Sequence, residues 1–331
     1  MKETSHAKSI MCGGLDVHKI NTEILSGLSL PTDYYRVVQC VRSPSSGCFG
    51  ESACYIERAS RVATLRSQTV KMYVVTNRLS KQQLNQYDHD GIVFPVKVFS
   101  ADEVAPFCGA LESIADNCGA GALKRLDGLH LFFDWAYRLV THDALLNAVE
   151  DVLGSDLLVD GTLVFYKPPQ DSSYVSWHQD SVYSGWHLTP STSAWIALTA
   201  SRPSNGCMRV IPASHKQGVL DHANARDASN LLFRGERVRT VDESRALDVV
   251  LQPGEMSLHH SNLIHGSNPN TSDEPRIGFI VRFVTHRIQH QDRPLLRVRG
   301  EADCSHLNLA QPPSEMNRQN ASAAWRAYNS S

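Results

Sequence analysis

Ser176-Trp177-His178-Gln179-Asp180 and Ile264-His265-Gly266-Ser267, followed by Arg276, carry the residue types with the most definite chemistry in this chain. Two histidines and one carboxylate in an H-x-D … H arrangement form the ligand set of a facial triad. Such a triad holds Fe(II) through three protein ligands and leaves three coordination positions open. Two of those suit a chelating 2-oxo acid and the third suits O2. Arg276 offers two parallel donors in a fork that matches a carboxylate, as the far end of a dicarboxylate requires.

His178 and Asp180 are separated by one residue, so in an extended strand both side chains point to the same face and Gln179 points away. His265 is preferred as the distant ligand because Gly266 permits close approach and Ser267 supplies a hydroxyl; on spacing alone His259 and His260 also qualify. His187, His215 and His222 fall in loops and read as surface histidines. Arg282 lies on the same predicted strand as Arg276, and alternation puts both on one face, so it is an alternative anchor. An arginine inside an apolar barrel requires an anion; on the surface it would simply pair with Asp273 or Glu274. Trp177, Tyr183, Trp186 and Trp195 gather around these residues, as barrel core or as a wall that keeps water from a reactive oxidant. The combination implies an oxygenase dependent on Fe(II), 2-oxoglutarate and O2. Two rivals are a barrel that binds ligand without turnover and a cupin-like metal enzyme independent of 2-oxoglutarate. Substrate-linked succinate and dependence on Arg276 separate the three.

The elements that must position these residues follow from local signals. Ser80 with Gln83 and Ser100 with Glu103 are capping boxes, opening a helix to about Tyr87 and another to about Asn117, the latter disturbed by Pro106. Ile92–Val98 alternates as a strand between them. Helices are expected at 131–139 and 142–153, the second closed by Gly154 in the left-handed conformation. Strands then dominate: Leu157–Tyr166, Ala194–Thr199, Cys207–Ile211, Ala246–Leu251, Glu255–His259 and Ile277–Thr285. Helices first and many short strands afterwards imply a mainly β fold with flanking helices, an antiparallel jelly-roll barrel. Residues 1–76 show no sustained periodicity beyond a strand-like Thr69–Val75 and read as a loosely ordered extension. Residues 77–310 form the barrel domain, and 311–331 a polar tail with a short helix at Ala321–Tyr328.

The 331 residues are 42% hydrophobic and 20% charged, as in an ordinary globular protein with a sizeable core. A net charge of -2 offers no electrostatic footprint for nucleic acid or an anionic membrane. No apolar run has the length of a membrane span, and the first residues lack the apolar core of a signal peptide. Eight cysteines without C-x-x-C spacing imply reduced thiols in a cytoplasmic protein. The partner expected is a small molecule, and nothing in the pattern specifies an oligomeric state.

Several stretches together resemble the phytanoyl-CoA dioxygenase family of Fe(II)/2-oxoglutarate oxygenases, and within it a bacterial branch of small-molecule hydroxylases. They are Tyr87-Asp88-His89-Asp90-Gly91, Trp177-His178-Gln179-Asp180 with Tyr183, Ala194-Trp195-Ile196-Ala197-Leu198, Asn205-Gly206 through Ile211-Pro212, Ser214-His215-Lys216, Pro253-Gly254-Glu255 and His265-Gly266-Ser267 with Arg276. The likeness runs over about residues 79–310. It implies a double-stranded β-helix, a cupin-like core, with iron on His178, Asp180 and His265. It further implies the distal carboxylate of 2-oxoglutarate on Arg276 and Ser267, with Trp195 lining that pocket. Halogenating relatives carry Ala or Gly in place of the carboxylate, so Asp180 implies a hydroxylase. Specificity would sit in the segments Ser181–Ser193 and Gly218–Arg245, the second of which carries Arg226, Arg234, Arg237, Arg239 and Arg245.

Overall fold

The computed structural model describes residues 78–331, apart from 119–123, 185–189, 225–226, 233, 289–292, 314 and 331, together with four short strands nearer the N-terminus. The chain divides into two compact units, Met1–Thr76 and Asn77–Ser331. In the first, β1 (Met11–Cys12) pairs antiparallel with β2 (Leu15–Asp16), and β3 (Val37–Arg42) with β4 (Ser52–Ile56). Neither pair was expected: each strand is short, and the Ser-Pro-Ser-Ser-Gly tract that masks their periodicity lies between β3 and β4. The strand-like Thr69–Val75 lies outside the described residues.

Both capping boxes are formed. Ser80 accepts from the Gln83 amide at the start of α1 (Lys81–Asp90), which Gly91 ends at φ 76, a backbone conformation glycine adopts without strain. After β5 (Ile92–Lys97), Ser100 N and Oγ donate to Glu103 Oε2 at 2.7 and 2.8 Å. They open α2 (Ala101–Cys118), which continues through Pro106. β6 (Arg125–Asp127), α3 (Asp134–Val140) and α4 (Asp143–Leu153) follow. Gly154 closes α4 at φ 89, ψ -175, an extended ψ rather than the left-handed cap expected there.

The barrel strands are β7 (Leu157–Lys167), β8 (Val175–His178), β9 (Ser191–Ala197), β10 (Met208–Val210), β11 (His222–Asn224), β12 (Glu236–Val238), β13 (Leu247–Val249), β14 (Glu255–His260), β15 (His265–Ser267) and β16 (Arg276–Thr285), with a short α5 (Ser181–Ser184) after β8. The strands alternate between two antiparallel sheets except at β10 and β13, which pair within the small one: β7, β9, β14 and β16 lie in the large sheet, and β8, β10, β13 and β15 in the small one. β11 and β12 form a separate hairpin between β10 and β13. That alternation is a double-stranded β-helix, the jelly-roll that turn and strand spacing imply. One face of the large sheet buries Ile196, Met256, Leu258, Phe279 and Phe283 against Leu139, Leu145 and Val149 of the helices. The other face, carrying Leu163, Phe165, Trp195 and Ile280, meets Val175, Met208, Val210 and Val249 of the small sheet.

The segment beyond Arg287, for which no strand was expected, extends this architecture. β17 (Leu295–Arg299) adds to the edge of β7, and β18 (Leu309–Ala310) pairs with it in parallel. α6 (Glu315–Ser330) is longer than the helix expected at 321–328. Its Trp325 packs on the main core, and Trp325 Nε1 donates to the Asp127 carbonyl at 2.6 Å. A few buried apolar residues (Leu295, Leu296, Trp325) decide this against a polar background, which is why composition conceals it.

Gly278 of β16 marks the closest approach in the barrel: a Cβ there would lie 2.1 Å from Trp195 Cζ2. Gly278→Ala is therefore expected to destabilise the fold by about 1–3 kcal/mol through overpacking, read as a lowered melting temperature. An unchanged melting temperature would show that Trp195 is free to move.

Candidate active site

His178 is the last residue of β8 and His265 the first of β15, and the register of the small sheet pairs them directly. Their rings stand 4.1 Å apart. His178 Nδ1 faces the Ser176 carbonyl at 2.8 Å, and His265 Nδ1 faces the Leu263 carbonyl at 2.9 Å. A carbonyl only accepts, so each Nδ1 carries the proton and each Nε2 presents a lone pair, the usual arrangement of metal-binding histidines. Both lone pairs meet Asp180 Oδ1, at 3.6 and 3.7 Å. One ligand atom from each of the three residues lies within 4.8 Å of the others.

Alternation along a strand does not explain Asp180, because β8 ends at His178 and Asp180 sits in the turn that follows. Gln179 sets that turn. Fully buried, it points away from the histidines, as expected; its Nε2 donates to the Gly218 and Asn262 carbonyls at 2.8 and 2.7 Å, and its Oε1 accepts from the Leu220 amide. Burial would push the Asp180 carboxyl up, but His265, His178 and His259 around it outweigh that and hold it well below the usual carboxylate range. Burial, with His178 alongside, holds the His265 imidazole well below its ordinary value. The site thus offers one carboxylate anion whose ion-pair partners, among the described residues, are histidines alone. A buried carboxylate beside two imidazole Nε2 atoms is a donor set matched to a divalent cation.

At the other end Arg276 and Ser267 line the cavity, with Lys167 against Ser267. β16 and β7 place Arg276 opposite Lys167, and both side chains are buried. Ser267 Oγ accepts from Lys167 Nζ at 2.7 Å and from Arg276 Nη2 at 3.3 Å. Arg276 also donates to the Gly206 carbonyl and stacks 5.3 Å from the Trp195 ring centre. Burial lowers Arg276 to about 10, so it stays charged. Lys167 is pushed down to about 6 by burial and by the neighbouring Arg276. A buried guanidinium and a lysine that an arriving anion would protonate, sharing one hydroxyl, form a receptor for a carboxylate.

A cavity joins the two ends, lined by the three triad residues, Trp195, Ser267, Arg276 and a band of Leu163, Phe165, Leu232 and Ile280. His259 faces into it, whereas His260 turns aside to stack on His215 and to accept from the Asn262 amide. Arg282 and Arg125 also line it; spacing gave no sign of Arg125 or of Lys167. The described arginines of the 218–245 segment do not line it: Leu232 does, Arg239 pairs with Asp221, and Arg234 and Arg237 are exposed. Arg226 and Trp186 lie outside the described residues.

A probable alpha-ketoglutarate-dependent hypophosphite dioxygenase of Stutzerimonas stutzeri is 27% identical over 211 residues, covering 58% of this chain and 73% of that protein. Ectoine dioxygenase of Bordetella bronchiseptica is 26% identical over 225 residues, covering 60% and 73%. Among solved structures, the apo form of the non-heme monooxygenase ThoJ superposes with a TM-score of 0.61 at 29% identity, over 74% of this chain and 98% of its own. The model of the phytanoyl-CoA dioxygenase family matches residues 87–278, from the end of α1 into β16, and so takes in both ends of the cavity: the chain belongs to that family.

Proposed function

We propose that this chain is an Fe(II)- and 2-oxoglutarate-dependent dioxygenase that hydroxylates an unactivated C–H bond of a small-molecule metabolite, releasing succinate and CO2. One observation carries the reading: a single cavity has the Asp180 carboxylate and the Nε2 atoms of two histidines at one end and, at the other, the Arg276 guanidinium and the Ser267 hydroxyl, which Lys167 backs. A dicarboxylate that also chelates metal fits both ends at once. Its relatives are named for a hypophosphite and an ectoine substrate, which supports a small molecule here.

His178, Asp180 and His265 would hold the iron and leave the positions for co-substrate and O2 free. Bound Fe(II), with 2-oxoglutarate and O2, supplies the oxidising power. Arg276, Lys167 and Ser267 grip the distal carboxylate and fix the co-substrate's orientation, with Trp195 as its wall. Leu163, Phe165 and Ile280 exclude water and hold the target C–H. Asp180 keeps an anionic oxygen at the place a halide would need, which favours hydroxylation over halogenation. No helix among the described residues is long and apolar enough to cross a membrane, and Cys108, Cys207 and Cys304 are free thiols; both accord with a cytoplasmic enzyme.

A consequence concerns protons. Lys167, at about 6, is neutral at neutral pH until an anion arrives. Binding of the dianion raises its pKa, so 2-oxoglutarate binding takes up about one proton, and affinity falls as pH rises above about 6. Calorimetry in buffers of different ionisation enthalpy reads this directly; a buffer-independent enthalpy would show that Lys167 does not meet the carboxylate. For the function itself, succinate release is measured with Fe(II), 2-oxoglutarate and pooled metabolites. The proposal expects release that depends on both substrate and 2-oxoglutarate. Metal-dependent turnover without 2-oxoglutarate would establish the other metal-enzyme chemistry.

A further inference from the structure

We propose that His259 is a positioning residue that, with Ser193, clamps the outer oxygen of Asp180 so that only the inner oxygen faces the metal; this rests on the metal-site assignment above. The large sheet lines up the parts. β14 places His259 opposite Ser193 of β9, and β9 places Ser193 opposite Arg282 of β16, so the three form one row on the cavity face. Asp180 lies over that row. Its Oδ2 accepts from Ser193 Oγ at 2.6 Å, and His259 Nε2 stands 3.4 Å from the same oxygen. Its Oδ1 faces His178 and His265.

His259 is 1% exposed, and neither of its ring nitrogens has a hydrogen-bond partner. Its ring packs 4.7 Å from that of His265, and its other cross-strand neighbour is Ile92. In such surroundings an apolar side chain would pack without leaving polar atoms unsatisfied. The imidazole has one anion within reach, and a small closure makes Nε2–H a donor to Oδ2. A carboxylate with an unrestrained second oxygen can chelate through both and take a position that the co-substrates need. Holding Oδ2 on Ser193 and His259 keeps Asp180 a one-oxygen ligand. Residues that orient ligands in this way typically change metal affinity or activity by about 10- to 100-fold when removed.

The test compares the full-length wild type with His259→Leu, His259→Gln and Ser193→Ala. Each apo-protein is titrated anaerobically with Fe(II) and then 2-oxoglutarate, followed by absorption, and melted without metal. The expected result is Fe(II) affinity about 10- to 100-fold weaker in His259→Leu and an altered absorption band. Its apo melting temperature should not fall. His259→Gln, whose amide can reach the same oxygen, should recover most of the affinity, and Ser193→Ala should weaken it in the same direction. His259→Leu binding Fe(II) like wild type overturns the proposal. So does equal loss in the Leu and Gln variants together with a lowered apo melting temperature, which would mark a packing role. Wild type that binds no Fe(II) would overturn the metal-site assignment itself.

Discussion

Asp180→Ala will lose hydroxylation and tight Fe(II) binding together, each by at least about 10³-fold. The variant deletes one ligand and the negative charge that two imidazoles cannot replace. A site that stabilises charge by several kcal/mol through its metal loses a factor of ten for each ~1.4 kcal/mol removed. The fold should survive, because Asp180 lies in a turn held by Gln179, whose bonds to Gly218, Leu220 and Asn262 do not involve the carboxylate. Iron binding and succinate-coupled turnover check this, with a melt of the apo-protein as control. Full turnover in Asp180→Ala would remove Asp180 from the metal.

Arg276→Ala will act at the other end, raising the KM for 2-oxoglutarate by about 150- to 5000-fold while leaving Fe(II) affinity near wild type. Breaking a buried ion pair by removing one partner costs about 3–5 kcal/mol, which sets that range. Lys167 and Ser267 remain, so binding is weakened rather than lost. Arg276→Lys should not rescue. The guanidinium uses Nε and Nη2 on the Gly206 carbonyl and Nη2 again on Ser267, a fork that an ammonium cannot reproduce. An unchanged KM would favour a metal enzyme that does not use 2-oxoglutarate.

Local signals carried much of the fold. Capping boxes set the starts of α1 and α2, and alternating apolar strands separated by glycine and proline turns implied the barrel. The triad was legible because its residue types are rare in combination, although Asp180 reaches the site from a turn and not from the strand that alternation suggested. Long-range pairing hid the rest. Lys167 lies just past the strand expected at Leu157–Tyr166, and its partner Ser267 is a hundred residues away. His259 and His260 are adjacent, so one must face inward, and only the register of β14 with β9 shows which. Arg276 and Arg282 share a face by parity. Their places along β16 separate them, Arg276 beside Lys167 and Arg282 beside Ser193.

Anaerobic absorption spectroscopy of the apo-protein, titrated with Fe(II) and then 2-oxoglutarate, tests the central claim most directly and needs no knowledge of the substrate. The account predicts a visible metal-to-ligand charge-transfer band that requires both additions and vanishes in His178→Ala. Bound iron with no such band would contradict chelation of 2-oxoglutarate at this site.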